Sequence, residues 1–442
     1  PESQQFKSLR DGHEYIDYHV MGTYMSPQLF DRFDENGNPL NLNLQSWPND
    51  LHRTPAPVRA EEVPFWLTMP RKEVSVRGEG EMAPVVILGH GYTSTRAELL
   101  GYAGFFPQFG VAVLSPDNVS HGFGVSASDI ATFGPILGNV GMRPALDALL
   151  FTRGGMVDDT GDGNPDRWYQ DLDRNGTINS GADFWTAYLF HTRDMVRQSA
   201  LDYMHLIRIL RTWDGKALWD LDINNDGIKN DIAGDFDGDG KVDIGADSPI
   251  YVMGGSLGGI MATTLGALEP EVSAIIPIAG GGRMTDIGGR SLQGGVPQAV
   301  LMRTMGPLYN ITLLDDGSAR VYTQVVELNR LIDVTITTVT DVQVGDTMVT
   351  ENLANGETRC AYLLLDEDDN GVAARARTSV ASDLGDPTEI RLYRGDALLL
   401  GSTECELKDG AKPYRVIDEM ETPLRADGTP VTMEGLPIPG GE

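Results

Sequence analysis

The stretch Ile250-Tyr-Val-Met-Gly-Gly-Ser-Leu-Gly-Gly259 indicates the fold, because it joins a short apolar run to a turn rich in glycine. The apolar run is typical of a strand buried on both faces. A helix of small residues is predicted from about Gly259 to Leu268, and an apolar strand follows at 272–278. This spacing predicts a parallel βαβ unit with its sharpest turn at Ser256.

A second unit of this kind precedes it. The apolar run 84–89 stops at His90-Gly91, and Thr95-Arg-Ala-Glu98 has the spacing of a capping box, which predicts a helix to about Phe106. A buried strand is predicted at 110–115, followed by a loop at 117–122. Apolar residues at three- and four-residue steps predict a long helix between Thr186 and Trp213.

These patterns divide the chain into four parts. We predict an N-terminal extended arm at 1–62 and an α/β core at 63–308 that carries two acidic insertions, 157–183 and 220–247. Short alternating runs predict an inserted antiparallel β-domain at 309–416. The remainder, 417–442, is rich in Pro and Gly and is interpreted as a linker or a cut end.

The segment Gly254-Gly-Ser-Leu-Gly258 fits the G-x-S-x-G pattern of a nucleophilic serine. A serine on a strained strand-to-helix turn needs neighbours without Cβ atoms, so that the two elements approach and Oγ stands clear. The helix start then directs amides toward developing negative charge. The alternative is a glycine-rich turn in which Ser256 only caps the helix.

His90-Gly91-Tyr92 follows the first strong strand and is the second candidate part of a site. The amides of Tyr92 and Leu257 would then form an oxyanion hole. The alternative is an ordinary turn at a strand end.

Four segments together resemble the α/β-hydrolase superfamily, and in particular large secreted bacterial lipases and esterases: 85–91, 117–122, 193–199 and 254–259. The resemblance covers about 85–310. It implies an α/β-hydrolase fold with a mostly parallel sheet, and a carboxylic ester hydrolase acting on a small-molecule, lipid or polyester ester. Ser256 would form an acyl-enzyme, the Tyr92 and Leu257 amides would hold the oxyanion, and water would release the acid.

In that superfamily the catalytic acid and histidine follow the nucleophile, but no histidine follows Ser256 in this sequence. The last of the seven histidines is His205. A rearranged triad that uses His121 or His191 is one alternative, and a pseudoenzyme is another. We expect instead that the sheet is incomplete in this chain, and that a second polypeptide supplies the acid and the histidine.

Four acidic segments carry oxygen ligands at alternate positions around a glycine, which is the pattern of a calcium loop. They form two pairs that repeat with an offset of 222 − 158 = 64 residues, and both pairs end in Gly-Ala-Asp. The candidate ligands are Asp158, Thr160, Asp162, Asp166, Asp171, Asp173, Asn175, Asn179 and Asp183 in the first pair, and Asp222, Asn224, Asp226, Asn230, Asp231, Asp235, Asp237, Asp239, Asp243 and Asp247 in the second.

These loops resemble those of dockerin and thrombospondin type 3 repeats, which implies that several Ca²⁺ ions bind as structural cofactors. Without a cation, so many carboxylates would repel one another. The alternative is a set of solvated acidic loops.

The composition limits the partners. With 64 acidic and 34 basic residues the formal charge is −30, which opposes binding to nucleic acid. No apolar run approaches the roughly 18 to 20 residues of a membrane span. Cys360 and Cys405 could form one disulfide, or remain as buried thiols. The start at Pro1 is interpreted as that of a processed chain, and we expect a secreted or cell-surface bacterial protein.

Three functions stay open at this point. The first is a secreted serine ester hydrolase, and the second is a serine peptidase on the same fold. The third is a non-catalytic, calcium-dependent binding module, which the missing histidine favours and the intact serine turn disfavours.

Overall fold

The computed structural model describes residues 10–31, 45–48, 51–53, 55–125, 127–139, 143–153, 156–157, 167–168, 177–185, 188–224, 226–290, 296, 308–314, 316–327, 330–365, 374–380, 387–399 and 405–420. These residues belong to two compact units. Unit 1 comprises 1–184 and 190–284, and unit 2 comprises 185–189 and 285–442.

Unit 1 is built on a mixed six-stranded sheet. Its strands are β1 (Ile16–Gln28), β2 (Arg59–Pro70), β3 (Val85–Gly89), β4 (Ala112–Pro116), β7 (Ile250–Gly255) and β8 (Val272–Ile278), while the two-residue strands β5 (Met156–Val157) and β6 (Arg167–Trp168) pair separately. The order is β1-β2-β4-β3-β7-β8, with β4, β3, β7 and β8 parallel and β1 and β2 antiparallel. The predicted parallel core is confirmed, and the sheet as a whole is mixed.

The expectation of an extended arm at 1–62 is wrong. Strand β1 pairs with β2 from Ile16 to Gln28, and β2 begins at Arg59, so both belong to the sheet. The pattern of β1 did not reveal this, because only four of its thirteen residues are buried and polar side chains interrupt the alternation. Long pairing with β2, rather than burial of its own face, holds this strand in place.

Unit 1 also contains helices, two of which pack against the parallel strands. They are α1 (Ala127–Asn139), α2 (Arg143–Leu150), α3 (Leu189–Thr212) and α4 (Leu257–Leu268), and α5 (Met284–Arg290) follows where the two units divide. The apolar face of α3, which includes Tyr203, Ile207 and Leu210, packs in one core with Ile87 of β3 and Val252 of β7. Burial of each such side chain contributes about 1.5–3 kcal/mol. No described helix is long and apolar enough to cross a membrane.

The predicted helix after Thr95 is only a short 3₁₀ helix, Arg96–Gly101. Thr95 caps it by accepting from the Ala97 amide, as expected, but the Glu98 carboxylate accepts from the Gly91 amide (2.8 Å) instead of closing a capping box. The buried Arg96 side chain turns away and pairs with Asp117. These tertiary contacts outweigh the local preference for a regular helix.

Unit 2 is a pair of four-stranded antiparallel sheets. One has the order β11 (Arg330–Val339), β10 (Ala319–Glu327), β9 (Leu308–Leu313), β14 (Ala374–Ser379), and the other has the order β13 (Thr358–Tyr362), β12 (Thr347–Asn352), β15 (Thr388–Tyr393), β16 (Arg415–Met420). Side chains from both sheets, such as Val321 and Met348, share one core. Cys360 and Cys405 form a disulfide across 45 residues.

The C-terminal boundary also differs from the expectation. Residues 417–420, which we assigned to a linker or cut end, belong to β16, and Ile417 pairs with Ile390 of β15. The Pro- and Gly-rich segment from 421 onward lies outside the described residues.

Candidate active site

The carboxyl ends of the parallel strands concentrate backbone strain. Four of the seven described non-glycine residues with positive φ lie within four residues of the ends of these strands: Thr93 (66°), Ser120 (68°), Ser256 (52°) and Ala279 (50°). A side chain at such a φ costs about 1–3 kcal/mol, so the surrounding structure must hold each one in place. Because β3, β4, β7 and β8 are parallel, all four positions lie at the same end of the sheet, where the carboxyl ends of these strands meet.

Ser256 occupies the turn between β7 and α4, as the sequence predicted. Its φ and ψ are 52° and −111°, and its side chain makes no capping hydrogen bond to α4. The alternative of a serine that merely caps the helix is therefore not what the structure shows. Its amide donates to the Ile278 carbonyl (2.9 Å), which fixes the turn against β8.

Three of the four glycines around Ser256 are required by the close approach of backbones. A Cβ on Gly254 would lie 2.5 Å from the Gly258 carbonyl carbon, and one on Gly258 would overlap the Gly89 carbonyl oxygen. A Cβ on Gly259 would lie 2.7 Å from the Ile278 carbonyl oxygen. Helix α4 therefore rests directly on the ends of β3 and β8, as the G-x-S-x-G pattern predicted.

The predicted oxyanion amides sit on two different elements. Leu257 is the first residue of α4, where the amides have no partner within the helix and the helix dipole is positive. Tyr92 lies in the turn after β3, which is closed by a hydrogen bond from the Ser94 amide to the Gly91 carbonyl (3.1 Å). Since the Gly91 amide is taken by Glu98, the next amide in the turn, that of Tyr92, is the candidate donor from this side.

Two buried histidines lie beside this turn, His90 bonded to the turn itself and His121 bonded within the loop after β4. His90 donates from Nδ1 to the Gly91 carbonyl (2.8 Å) and accepts at Nε2 from the Asn118 amide (2.9 Å). His121 donates from Nδ1 to the Val119 carbonyl (2.8 Å), and its ring lies 4.9 Å from that of His90. Burial lowers the pKa of both imidazoles, so they are neutral at pH 7.

The third buried histidine is also committed elsewhere. His191 Nδ1 lies 2.6 Å from the Gln45 carbonyl, and its Nε2 lies 3.1 Å from the Asp183 carbonyl. All seven histidines fall within the described residues, and none of them is hydrogen-bonded to Ser256. No hydrogen bond therefore joins His121 or His191 to Ser256, although Nε2 of His121 is buried with no partner within the described residues.

Strand β8 is the last strand of the sheet, beside the serine turn, and its side chains are exposed. Ser273 through Ile278 are all exposed, including Ile275, Ile276 and Ile278 at 36%, 45% and 43%. Successive side chains of a strand point to opposite faces, so apolar residues are open to solvent on both faces. The strand carries no charge that would oppose further strand pairing, although Pro277 lacks the N–H of one ladder position.

The Asp235 loop gathers three of the predicted calcium ligands. Asp235, Asp237 and Asp239 each place one oxygen within 4.8 Å of the others. Asp235 accepts amide hydrogen bonds from Gly238 (2.7 Å) and Gly240 (2.8 Å), and burial raises the pKa of its carboxyl. Lys72 pairs with Asp237 (2.9 Å) and Asp239 (2.7 Å), so two of the three carboxylates already have a cationic partner within the chain.

The Asp222 loop repeats the same internal hydrogen bonds. Asp222 accepts from the Gly227 amide (3.1 Å) as Asp235 does from Gly240, and Asn224 accepts from Asp226 (2.9 Å) as Asp237 does from Asp239 (3.2 Å). The Oδ1 atom of Asp222 is buried and has no partner within the described residues.

The other predicted ligands differ in their placement, and Asp243 accepts from the Phe236 amide within the Asp235 loop (2.8 Å). Asp243 is engaged by Arg77 (2.8 Å) and Tyr18 (2.7 Å), Asp231 accepts from the Asn224 amide (3.0 Å), and Asp247 is exposed. Asp183 is buried and bonded to Ser120. Asn230, the last candidate ligand of the second pair, is exposed. Asn179, a candidate of the first pair, is half-buried. The remaining candidates lie outside the described residues: Asp158, Thr160, Asp162, Asp166, Asp171, Asp173 and Asn175.

Sequence reasoning missed the buried ion pair of Arg96 and Asp117 beside this site. Arg96 also donates to the carbonyls of Ala148 (2.9 Å) and Leu149 (2.7 Å), so it joins the turn after β3, the loop after β4 and the end of α2. One signal existed, since Asp117 is a charged residue directly after a buried strand. Nothing in the sequence indicated its partner.

Comparison with protein-family models gives no match, and comparison with curated proteins gives none. Solved structures similar to part of the chain include an acetyl xylan esterase from Paenibacillus sp. R4, at 13% identity, TM-score 0.25, 63% of this chain and 61% of that one. A ferulic acid esterase from Streptomyces cinnamoneus matches at 13% identity and TM-score 0.25, covering 59% of each chain. A fluorophosphonate-binding serine hydrolase from Staphylococcus aureus matches at 10% identity and TM-score 0.24, covering 64% and 65%.

The chain thus spans about three-fifths of the length of the acetyl xylan esterase. All three proteins are esterases or serine hydrolases, but these identities and TM-scores are too low to assign a family. The activity therefore has to be argued from the geometry of the site itself.

Proposed function

We propose that this protein is a serine ester hydrolase of the α/β-hydrolase type in which Ser256 is the nucleophile. The observation that carries the proposal is the conformation of Ser256, a non-glycine residue at φ 52° on a turn where neighbouring glycines allow α4 to touch β3 and β8. Strain of this kind persists where it serves to present a side chain. The hydroxyl at the start of α4 is free of the capping role that would otherwise explain it.

The proposed reaction has two steps. The Ser256 oxygen bonds to the ester carbonyl carbon while its proton passes to an imidazole, and the amides of Leu257 and Tyr92 hold the oxyanion. The leaving alcohol then takes that proton, and water repeats the sequence on the acyl-enzyme to release the acid. The substrate class we propose is a small-molecule, lipid or polyester ester.

The imidazole and the catalytic acid come, in this proposal, from a second polypeptide. Two observations support it: among the described residues no histidine is hydrogen-bonded to Ser256, and β8 exposes apolar side chains next to the serine turn. A strand that paired with β8 in the parallel sense would have its carboxyl end at the same end of the sheet as Ser256. In this view the sheet is completed from outside these residues, and unit 2 is an insertion.

Structural Ca²⁺ is the proposed cofactor, and the described residues fit it. Asp235, Asp237 and Asp239 offer hard oxygens around a glycine-containing loop, and the partnerless Oδ1 of Asp222 gives the neighbouring loop an available ligand. The ion would neutralise carboxylates next to the segment that leads into β7. Such loops suit a calcium-rich fluid, and a disulfide suits an oxidising one, so we propose a secreted or cell-surface location.

The second candidate function is a non-catalytic, calcium-dependent binding module. It is favoured by the absence of any hydrogen bond between Ser256 and a histidine among the described residues. A serine peptidase would share the same nucleophile and would differ in cleaving amides rather than esters.

Chemical rescue by free imidazole separates these candidates. The hydrolysis of p-nitrophenyl acetate by the 442-residue chain is measured with increasing imidazole, with Ser256→Ala as the control. An esterase that lacks only its base should gain a rate that depends on both imidazole and Ser256. Equal rates for the two proteins at every imidazole concentration would rule out the ester hydrolase.

The second polypeptide is tested on material purified from its native source. Intact mass should show a further chain that carries a histidine and remains bound. A single 48.0 kDa species would argue for the binding module.

A further inference from the structure

The segment 178–184, named here the buttress turn, forms the end of the first acidic insertion and contacts both loops that border the candidate site. Ser180 Oγ donates to the Ser94 carbonyl (2.7 Å) and accepts from the Gly122 amide (3.2 Å). One hydroxyl therefore joins the turn after β3 to the loop after β4. Both partners are backbone groups, so the contact constrains the loops themselves.

The buttress turn makes two further polar contacts with the loop after β4. The Gly181 amide donates to the Ser120 carbonyl (2.9 Å), and Asp183 accepts from the Ser120 hydroxyl. Ser120 is one of the residues at positive φ, and these two hydrogen bonds hold both its carbonyl and its hydroxyl. The buried carbonyl of Asp183 is in turn approached by His191 in the first turn of α3 (3.1 Å).

Apolar contacts complete the same arrangement around Tyr92. The rings of Tyr92, His121 and Phe184 lie 5.5–6.1 Å apart, each against the other two. Gly181 is pressed into this group, because a Cβ there would lie 2.6 Å from His121 Nε2 and 3.0 Å from Tyr92 Cε2. The Tyr92 ring is 8% exposed and so has little freedom to move.

The second copy of the duplicated motif does something different. Its Gly-Ala-Asp, 245–247, lies at the end of α3, where the Ala246 amide donates to the Leu210 carbonyl (3.0 Å). Asp247 is exposed there, whereas Asp183 is buried against Ser120. The two copies therefore hold opposite ends of α3, and only the first reaches the candidate site.

We propose that the buttress turn positions Tyr92 for its role in the oxyanion hole, with Ser180 and Asp183 as positioning residues. The inference rests on the proposed function, since the placement of the Tyr92 amide matters to catalysis only if Ser256 reacts. The structural part stands separately: the strained turn 91–94 keeps its conformation because Ser180 holds the Ser94 carbonyl.

Hydrogen exchange of the full chain tests the structural part. The exchange of peptides covering 90–95 is compared for the unsubstituted protein, Ser180→Ala and the control Ser248→Ala. The Ser248 hydroxyl is also buried, and it accepts from the Gly245 amide (3.3 Å), distant in sequence from 90–95. We expect about tenfold faster exchange in Ser180→Ala alone. Asp183→Asn should act in the same direction, so the test survives if one variant fails to fold.

Reactivity of Ser256 with a fluorophosphonate, measured on the full chain with free imidazole as the base, tests the catalytic part. Ser180→Ala should lower the maximal labelling rate roughly 10- to 100-fold while leaving the half-saturating reagent concentration unchanged. If no variant is labelled but exchange at 90–95 rises, the proposed function fails and the positioning role stands. If exchange in Ser180→Ala matches that in Ser248→Ala, the inference is overturned.

Discussion

The α-carbon of Gly258 packs directly against Gly89, so closely that a Cβ on Gly89 would lie 2.8 Å from the Gly258 Cα. This contact seats the first turn of α4 on the end of β3, and it thereby brings Ser256 and the turn that contains Tyr92 to the same edge of the sheet. The candidate site depends on two residues that have no side chains.

Replacing Gly258 with Ala should destabilise unit 1 by about 3 kcal/mol or more, because the new Cβ would overlap the Gly89 backbone, which cannot move aside. Urea unfolding measures the loss. The control is Gly255→Ala, since a Cβ there meets nothing within 4 Å. That variant should keep its stability or gain up to about 1 kcal/mol. Equal losses in both variants would contradict the packing described.

Calcium should stabilise unit 1 through the Asp235 loop. At a hundred times its dissociation constant, the ion should raise the free energy of unfolding by about 2.7 kcal/mol. Isothermal titration calorimetry on chelator-treated protein measures binding. Asp237→Asn should weaken it, because Asp237 is one of the three clustered carboxylates. The charge-matched control Asp409→Asn, at an exposed position of unit 2, should bind calcium as the unsubstituted protein does. If neither the unsubstituted protein nor either variant gives a heat of calcium binding, the calcium site is excluded.

Removing the Cys360–Cys405 disulfide should destabilise unit 2 by about 4 kcal/mol, since the bond closes a loop of 45 residues and so restricts the unfolded chain. The double variant Cys360→Ala/Cys405→Ala is compared with the oxidised protein by calorimetry. The transition of unit 1 serves as the internal control and should stay in place. An unchanged transition of unit 2 would show that the bond contributes nothing there.

Stability should fall as the pH drops below about 6.5, the ordinary value for histidine. Burial lowers the pKa of His90, His121 and His191 in the folded protein, so the unfolded chain binds protons first. Each histidine contributes a slope of up to about 1.4 kcal/mol per pH unit between its unfolded and folded pKa.

The variant His121→Asn should reduce this slope, because its amide can still donate to the Val119 carbonyl while nothing remains to be protonated. Urea midpoints at pH 5 to 7 measure the slope, and His52→Asn, at an exposed position, is the control. A slope that does not change in His121→Asn would mean that another group causes the acid sensitivity.

Much of the site was predictable from local pattern. Residues 250–259 predict a strand, a turn and a helix, because burial on both faces and close backbone approach allow few residue types at these positions. The serine, its glycines and the end of β3 were found in this way. The acidic repeats were predicted for the same reason, since alternate oxygens around a glycine have a meaning within a single loop.

Other features depend on residues far apart in the sequence. Strand β1 was mistaken for an arm because its partner β2 lies more than 30 residues away and supplies most of its contacts. The Glu98 carboxylate accepts from the Gly91 amide instead of capping its own helix. Arg96, which follows β3, pairs with Asp117 at the end of the neighbouring strand β4.

The sequence by itself determined the strand-to-helix turn at Ser256, the parallel core around it and the acidic loops, because each follows from steric or ligand rules that act over a few neighbouring residues. Only the tertiary structure decided which carboxylates pair with arginine, which histidines are locked by carbonyls and how Ser180 clamps the two loops beside Tyr92. Those choices follow from the need to satisfy buried polar groups, and a buried group takes whichever partner folding brings within hydrogen-bond distance.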